Sequence, residues 1–367
     1  MPLLLIKIFK MGITEKLIRK LDNSKAFTFA EVDIFSNEKA WISTGSPSLD
    51  YRLKTFGWPT GIIEITGESQ SGKTTLSLHA MKQNILQYKD RAVTVILSSE
   101  RRDNRELALM MNVPVEEIMI VNTSTVEAVF DEMSRIVDAT NKLFEEEKRK
   151  DKPRFLFVWD SLGQTPSKAE ISAMKIRKEA RLKGDEDKNP QMAAAAKAIQ
   201  LGLRSTAILS DENELTFFII NRSYDNMNSP GKTSYGGKAM KYWPKMRFDL
   251  VRTSDVKVGE DVVGQITEVK VIKTDFDRPK QKFPIEIGYG YGIVLGDEDI
   301  KFAINEGLLK KYGAYGAKFN DKLKWSSRRE LYEHYENRNP MLKILLMKLT
   351  SRFHSLVVEE RESRLKK

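Results

Sequence analysis

Nine consecutive residues can do phosphate chemistry. Gly67, Glu68, Ser69, Gln70, Ser71, Gly72, Lys73, Thr74 and Thr75 fit G-x-x-x-x-G-K-[ST], with Gly67, Gly72, Lys73 and Thr74 in the fixed places. The two glycines let the backbone curl until successive N–H groups point inward at phosphate oxygens, and the following helix adds the positive end of its dipole. Lys73 can reach the β- and γ-phosphates, and the Thr74 hydroxyl can complete the coordination of Mg²⁺. The metal also needs an acid at the end of a neighbouring buried strand, and Asp160 follows the apolar run Phe155–Trp159. The alternative for Asp160 is a helix cap. Hydrolysis requires a carboxylate that orients water, and Glu100, just beyond Val93–Leu97, is the candidate, unless Arg101 and Arg102 neutralise it. Asn221, at the tip of Thr216–Ile220, can sense the γ-phosphate through its amide or simply satisfy loop backbone.

These residues need a sheet to hold them. From Trp41 onward apolar strands alternate with helices, the pattern of a mostly parallel α/β sheet covered on both faces. Expected strands are 62–66, 92–97, 117–121, 155–159, 216–220, 248–252, 267–272 and 283–287. Expected helices are 74–88, 105–111, 126–148 and 192–210. Two polar stretches break the pattern, about 166–190 and 223–238, and both follow central strands at the carboxyl edge where open α/β sheets bind ligands. They read as functional loops or as surface insertions. The first carries six Lys and Arg from Lys168 to Lys183.

Before this core, residues 12–22 read as an amphipathic helix and Phe27–Phe35 as a strand in need of a partner sheet edge, its own or a neighbour's. Met11 is a candidate start. The expected division is 1–40 for the helix and strand, 41–296 for the core, and 297–367 for a small module. That module reads as helices over 299–312, 326–337 and 341–358, with Tyr315 and Trp325 as core aromatics.

At 367 residues, 41% apolar and 31% charged, the composition is that of a globular protein. There is no cysteine, so disulfides and thiolate metal sites are excluded, and three scattered histidines make no metal site. His79 reads as a packing or surface residue. The apolar opening of the chain is too short to span a bilayer, so a cytoplasmic location is expected. The net charge is +10, with sixteen Lys and Arg against eight Asp and Glu from residue 301 onward. Such a balance favours a polyanionic partner.

The segments Ile42–Asp50, Gly67–Thr74, Ser99-Glu100, Asp160-Ser161-Leu162-Gly163, Ile220-Asn221 and Gly236–Tyr242 stand in the order and spacing of RecA-type recombinases. Over about residues 41–345 the chain resembles that family, and the Asp-Ser-Leu-Gly run and the C-terminal module look most like the phage UvsX branch. The resemblance implies a RecA-like fold and an ATP- and Mg²⁺-dependent filament on single-stranded DNA that pairs it with a homologous duplex and exchanges strands. It implies Glu100 as the catalytic carboxylate and the two polar stretches as DNA-binding loops. Lys175, Arg177 and Lys178 would act in the first. Arg222, Tyr224, Tyr235, Gly236, Gly237 and Lys238 would act in the second, where Met227 could also wedge between bases. Lys273 resembles a lysine that reaches the neighbouring subunit's γ-phosphate. Phe27 and Ala30, in the Phe-x-x-Ala form of eukaryotic recombinases, would serve assembly together with Lys241 and Tyr242. Single-strand-binding protein and a loading mediator would be further partners.

The chain also departs from that pattern. Arg222 replaces a glutamine of bacterial relatives, Asp275 replaces a second trans lysine, and the chain ends in Arg364-Leu365-Lys366-Lys367 rather than an acidic tail. Asn104 and Leu107 do not reproduce the residues around the adenine. A ring helicase or other motor of the same fold, and a mediator that binds ATP without hydrolysing it, are the competing functions.

Overall fold

The apolar runs that alternate with helices build one sheet, and every residue of its central strand, β1 (Gly61–Gly67), is buried. The computed structural model describes residues 41–99, 104–183, 192–225, 232–313 and 316–365. Expectations for Met11, Phe27, Ala30, Glu100, Met227 and Tyr315 lie outside them. After β1 come β2 (Ala92–Ser98), β3 (Ile118–Asn122), β4 (Arg154–Asp160), β5 (Glu214–Ile220), β6 (Ser223–Asp225), β7 (Lys232–Ser234) and β8 (Met246–Val258). β9 (Asp261–Thr274), β10 (Lys282–Gly288) and β11 (Gly292–Val294) complete a nine-stranded sheet ordered β11-β10-β9-β8-β1-β5-β4-β2-β3. The strands from β8 to β3 in that order are parallel, and β9, β10 and β11 return antiparallel.

Side chains alternate across β1, so Ile63 and Ile65 enter one core and Ile62 the other. The first core is closed by α2 (Lys73–Tyr88), which follows α1 (Pro47–Arg52). Next come α3 (Arg105–Met110) and α4 (Val126–Glu146), then α5 (Lys168–Lys183) and α6 (Met192–Glu212). α4 and α6 cover the second core, where Phe130 meets Trp159 and Phe217 edge-on. Thr125 caps α4 by accepting the Ala128 N–H.

The parallel α/β core matches expectation, but three segments correct it. The stretch after Pro166 is not a loop over Lys168–Lys183: it is helix α5. Ser167 and Glu170 form a reciprocal capping box, with Ser167 N–H donating to Glu170 Oε2 at 2.7 Å and Glu170 N–H to Ser167 Oγ at 3.2 Å. Neither glycine nor proline interrupts the segment, so local propensity makes a helix although no face of it is strongly apolar. β8 and β9 run well past the expected 248–252 and 267–272, into a hairpin whose outer residues are largely exposed. In the C-terminal region, after the four-residue α7 (Ala239–Tyr242) and then α8 (Asp297–Asn305), the expected helix to 312 stops early. Gly307 takes φ 72° and Leu308 N–H bonds back to Ala303 O, a glycine-terminated helix end.

Strands β12 (Lys310–Tyr312), β13 (Gly316–Asn320) and β14 (Leu323–Trp325) form a small sheet there. With α9 (Arg328–Glu336) and α10 (Pro340–Leu365) it encloses Trp325, which is buried as expected. α10 returns to α1, where Tyr51 and Lys54 both bond Glu360. Phe353 stacks on Phe302, with ring centres 4.0 Å apart.

His79 is a packing residue. It is buried in α2, Nε2 accepts the Ile293 N–H at 2.7 Å, and Nδ1 has no partner among the described residues. Burial, with a smaller contribution from the Lys82 charge, lowers its pKa from 6.5 to about 3. Between those values the unfolded chain binds the proton and the native one does not, so stability is lost as pH falls through that window. The loss is about 1.4 kcal/mol per pH unit. His79→Gln keeps an acceptor for Ile293 and should flatten the acid limb of stability against pH in urea unfolding. An unchanged limb would mean that His79 does not titrate.

Candidate active site

β1 cannot continue past Gly67, because the chain turns there into the left-handed region, φ 149°, and again at Gly72, φ 99°. A Cβ on Gly67 would stand 2.6 Å from the Leu250 carbonyl oxygen, and one on Gly72 would collide with Ile287 Cδ1. β9 fastens the loop between them. Gln265 Nε2 donates to Gln70 O at 3.0 Å, and Thr267 Oγ1 donates to Ser71 O at 3.2 Å. Lys73 Nζ donates to Gly67 O at 2.8 Å and to Glu68 O at 2.5 Å, so its ammonium lies over the loop.

The loop forms one wall of a cavity of about 1110 Å³. Thr74 and Asp160 face the same space, as do Arg222, Ser223 and Arg252. Asn104, Leu107 and Tyr289 line it as well. The residues fit a nucleoside triphosphate: Gly67 and Gly72 allow the turns that a Cβ would block, and the buried Ser71 Oγ has no partner among the described residues. The Thr74 hydroxyl and the Asp160 carboxylate are hard oxygen donors suited to Mg²⁺, which takes one or two protein ligands and fills its shell with phosphate and water. Among the described residues no three His, Cys, Asp or Glu side chains group as a metal site of their own. The register Ser98↔Asp160↔Ile220 brings the carboxyl ends of β2, β4 and β5 level, and Ser99 N–H bonds the Asp160 carbonyl at 3.2 Å.

Asn221 does not line that cavity. It is buried, and its Nδ2 donates to Glu64 Oε1 at 2.9 Å and to Tyr235 O at 2.8 Å, while Oδ1 accepts the Arg222 N–H. Glu64 is fully buried in β1 and pairs with Arg247 Nε at 2.5 Å across the register Glu64↔Arg247. Neither residue of this pair was expected. The available signal was one acid inside Ile62-Ile63-Glu64-Ile65, a charge that a buried strand holds only with a partner.

A model of the RecA N-terminal domain matches residues 24–142 and 170–294. The chain belongs to the RecA family. A RecA protein of Pseudomonas putida is 30% identical over 289 residues, 77% of this chain and 73% of its own. That of Pseudomonas fluorescens Pf-5 is 30% identical over 318 residues, 84% and 82% of the two chains. The RecA protein of Chloroherpeton thalassium is 29% identical over 287 residues, 77% of this chain and 72% of its own.

The remaining site residues of this RecA-family chain fall into two groups. Around the second polar stretch, β6 and β7 form an antiparallel hairpin that pairs Tyr224 with Thr233. Gly236 and Gly237 follow it in left-handed turns, φ 97° and 62°, and Lys238 is exposed. Tyr235 is half-buried, with its hydroxyl 3.3 Å from Glu170 Oε1 of α5. Lys175 is exposed on α5, where Arg177 and Lys178 also lie. The second group stands elsewhere. Lys273 does not line the phosphate cavity; its Nζ donates to Tyr242 O at 2.8 Å and Pro244 O at 2.7 Å. Lys241 and Tyr242 are exposed beside it, and the Asp275 carboxylate is 3.9 Å from the Lys273 ammonium.

Lys73→Ala removes the ammonium that lies over the loop and, in an ATPase that uses this loop, should lower kcat for ATP hydrolysis by about 10²–10³-fold while the variant stays folded. Undiminished turnover by the purified variant would remove the loop from the reaction.

Proposed function

We propose that this RecA-family recombinase is a DNA-dependent ATPase that assembles on single-stranded DNA, pairs it with a homologous duplex and exchanges strands in the cytoplasm. One observation carries the reading. Arg222 and Ser223 line the phosphate cavity, and Ser223 is also the first residue of the β6–β7 hairpin. The triphosphate site and the second DNA element therefore share one strand end. Bound Mg²⁺ would neutralise charge between the β- and γ-phosphates. The chain's own part is to hold the phosphates with loop N–H groups and Lys73, to offer the Thr74 and Asp160 oxygens, and to orient water through Glu100. α5 and the hairpin would grip the DNA backbone, giving affinity without sequence preference. The UvsX-like branch is favoured by Asp160–Gly163 and the C-terminal module.

Self-assembly has two supports. Among the described residues β3 ends the sheet with nothing paired to its outer edge, and Met119 and Ile120 on it are exposed, so it can accept an extended segment from a second copy. Phe27–Phe35, the segment the sequence offers for this, lies outside the described residues. Lys273 lies toward the amino end of β1, where Lys245 N–H bonds Ile62 O, away from its own phosphate loop. A triphosphate there would belong to a neighbour. A motor of the ring-helicase type would use the same core, and a D-loop assay with labelled single strand separates the two.

Neutralising Lys175, Arg177 and Lys178 should weaken single-strand binding and flatten its log–log salt dependence by about 0.7 per lost phosphate contact. An unchanged slope in fluorescence anisotropy would return α5 to a solvated surface helix. Lys273→Ala should abolish DNA-stimulated turnover, and adding it in excess to Lys73→Ala should restore some, since mixed neighbours pair one intact loop with one intact lysine. No complementation would exclude a site completed in trans.

A further inference from the structure

A carboxylate with no access to water must be held by something, and what holds Glu64 also holds the DNA elements. Glu64 Oε2 accepts from Arg247 Nε at 2.5 Å, and the same guanidinium reaches Ser234 Oγ of β7 at 3.3 Å. Glu64 Oε1 accepts from Asn221 Nδ2 at 2.9 Å, and that amide also donates to Tyr235 O at 2.8 Å. The Tyr235 hydroxyl in turn reaches Glu170 near the start of α5. Three residues before the phosphate loop, one buried side chain thus stands between both sides of the hairpin base and, through it, α5.

We propose that the Glu64–Arg247 pair is the positioning element that makes the grip of the β6–β7 hairpin and α5 on single-stranded DNA conditional on bound triphosphate. This rests on the function proposed above and names the device that regulates that site. A ligand shifts a conformational equilibrium only through contacts that differ between its states. The contact available to the triphosphate is Arg222, which lines its cavity and whose N–H is held by Asn221 Oδ1 at 2.9 Å. A movement of Arg222 is a movement of Asn221. Asn221 can move only with Glu64 or by breaking from it, because its own N–H is tied to Ile65 O at 2.9 Å and its side chain is buried. Arg247 fixes Glu64 from the other side and sets the Ser234 strand by its second nitrogen. Charge and fork geometry are both used: a single donor could hold Glu64 or Ser234 but not both.

The test measures the dissociation constant of the full-length protein for a fluorescent oligo-dT, without nucleotide and with a non-hydrolysable ATP analogue, and takes the ratio. Nucleotide affinity without DNA is measured in parallel. In the natural protein the analogue should tighten DNA binding by about tenfold or more, within the usual range of coupling between sites. Glu64→Gln/Arg247→Gln removes both charges together and leaves hydrogen-bonding groups of similar length. It should bring the ratio close to one while nucleotide affinity and nucleotide-free DNA affinity stay within about twofold. Arg247→Lys keeps the charge and loses the fork, and should give an intermediate ratio; it also serves if the double variant does not fold. A folded double variant, or Arg247→Lys, with the full ratio would overturn the positioning role alone. A natural protein whose ratio is one would overturn the function on which it rests, whatever the variants do.

Discussion

β1 is enclosed on every side: β5 and β8 flank it in parallel register and a hydrophobic core covers each face. A strand so confined has one way to reach ligand, through the loop at its carboxyl end. The position of that loop is set by the whole sheet. This is why Gly67 can tolerate a left-handed turn against the Leu250 carbonyl and why β9, two strands away, supplies the Gln265 and Thr267 bonds that shape it. A phosphate cradle gains from such rigidity, since its N–H groups need no reorganisation when charge arrives.

The same enclosure makes Glu64 expensive. Breaking a buried ion pair by deleting one partner typically costs about 3–5 kcal/mol, whereas two well-packed neutral groups can replace it with little loss. Stability therefore does not require a charge at this point in the strand. The arrangement makes better sense as specification. Among the described residues Glu64 accepts from Arg247 and Asn221, and so fixes the register of β8 and the exit of β5 against β1. Packing alone would tolerate small slips between such strands.

How much of this was legible in the sequence depends on whether a feature is local. The phosphate loop was, because its chemistry demands named residues at fixed spacing and its strand and helix are contiguous with it. The central strands were, because Phe155–Trp159 and Phe217–Ile220 are apolar without alternation, as strands buried on both faces must be. α5 was not, since a helix without a strongly apolar face carries little periodicity, and its one clear sign was the Ser167–Glu170 capping box. The outer halves of β8 and β9 bury no continuous face and so gave no pattern. The early end of α8 was written in Gly307 but masked by the apolar Leu308 and Leu309 that follow it. Glu64 and Arg247 are 183 residues apart, and no local reading pairs them.

The direction of β1 also bears on assembly. From Ile62, where the segment carrying Tyr242 and Pro244 joins the sheet, to Gly67 is five residues, roughly 17 Å of extended strand. Lys273, bonded to the carbonyls of Tyr242 and Pro244, lies toward the first end and the phosphate loop at the second. A molecule with a receptor at one end of a strand and a reaching cation toward the other cannot satisfy both within itself. A twofold pair would close on itself and stop at two copies, whereas the head-to-tail contact of the proposed filament repeats, giving a ring if the rotation closes and a helical filament if it does not. Among the described residues nothing pairs with the outer edge of β3, and an edge that accepts a strand from the next copy would leave that copy's own edge open to another.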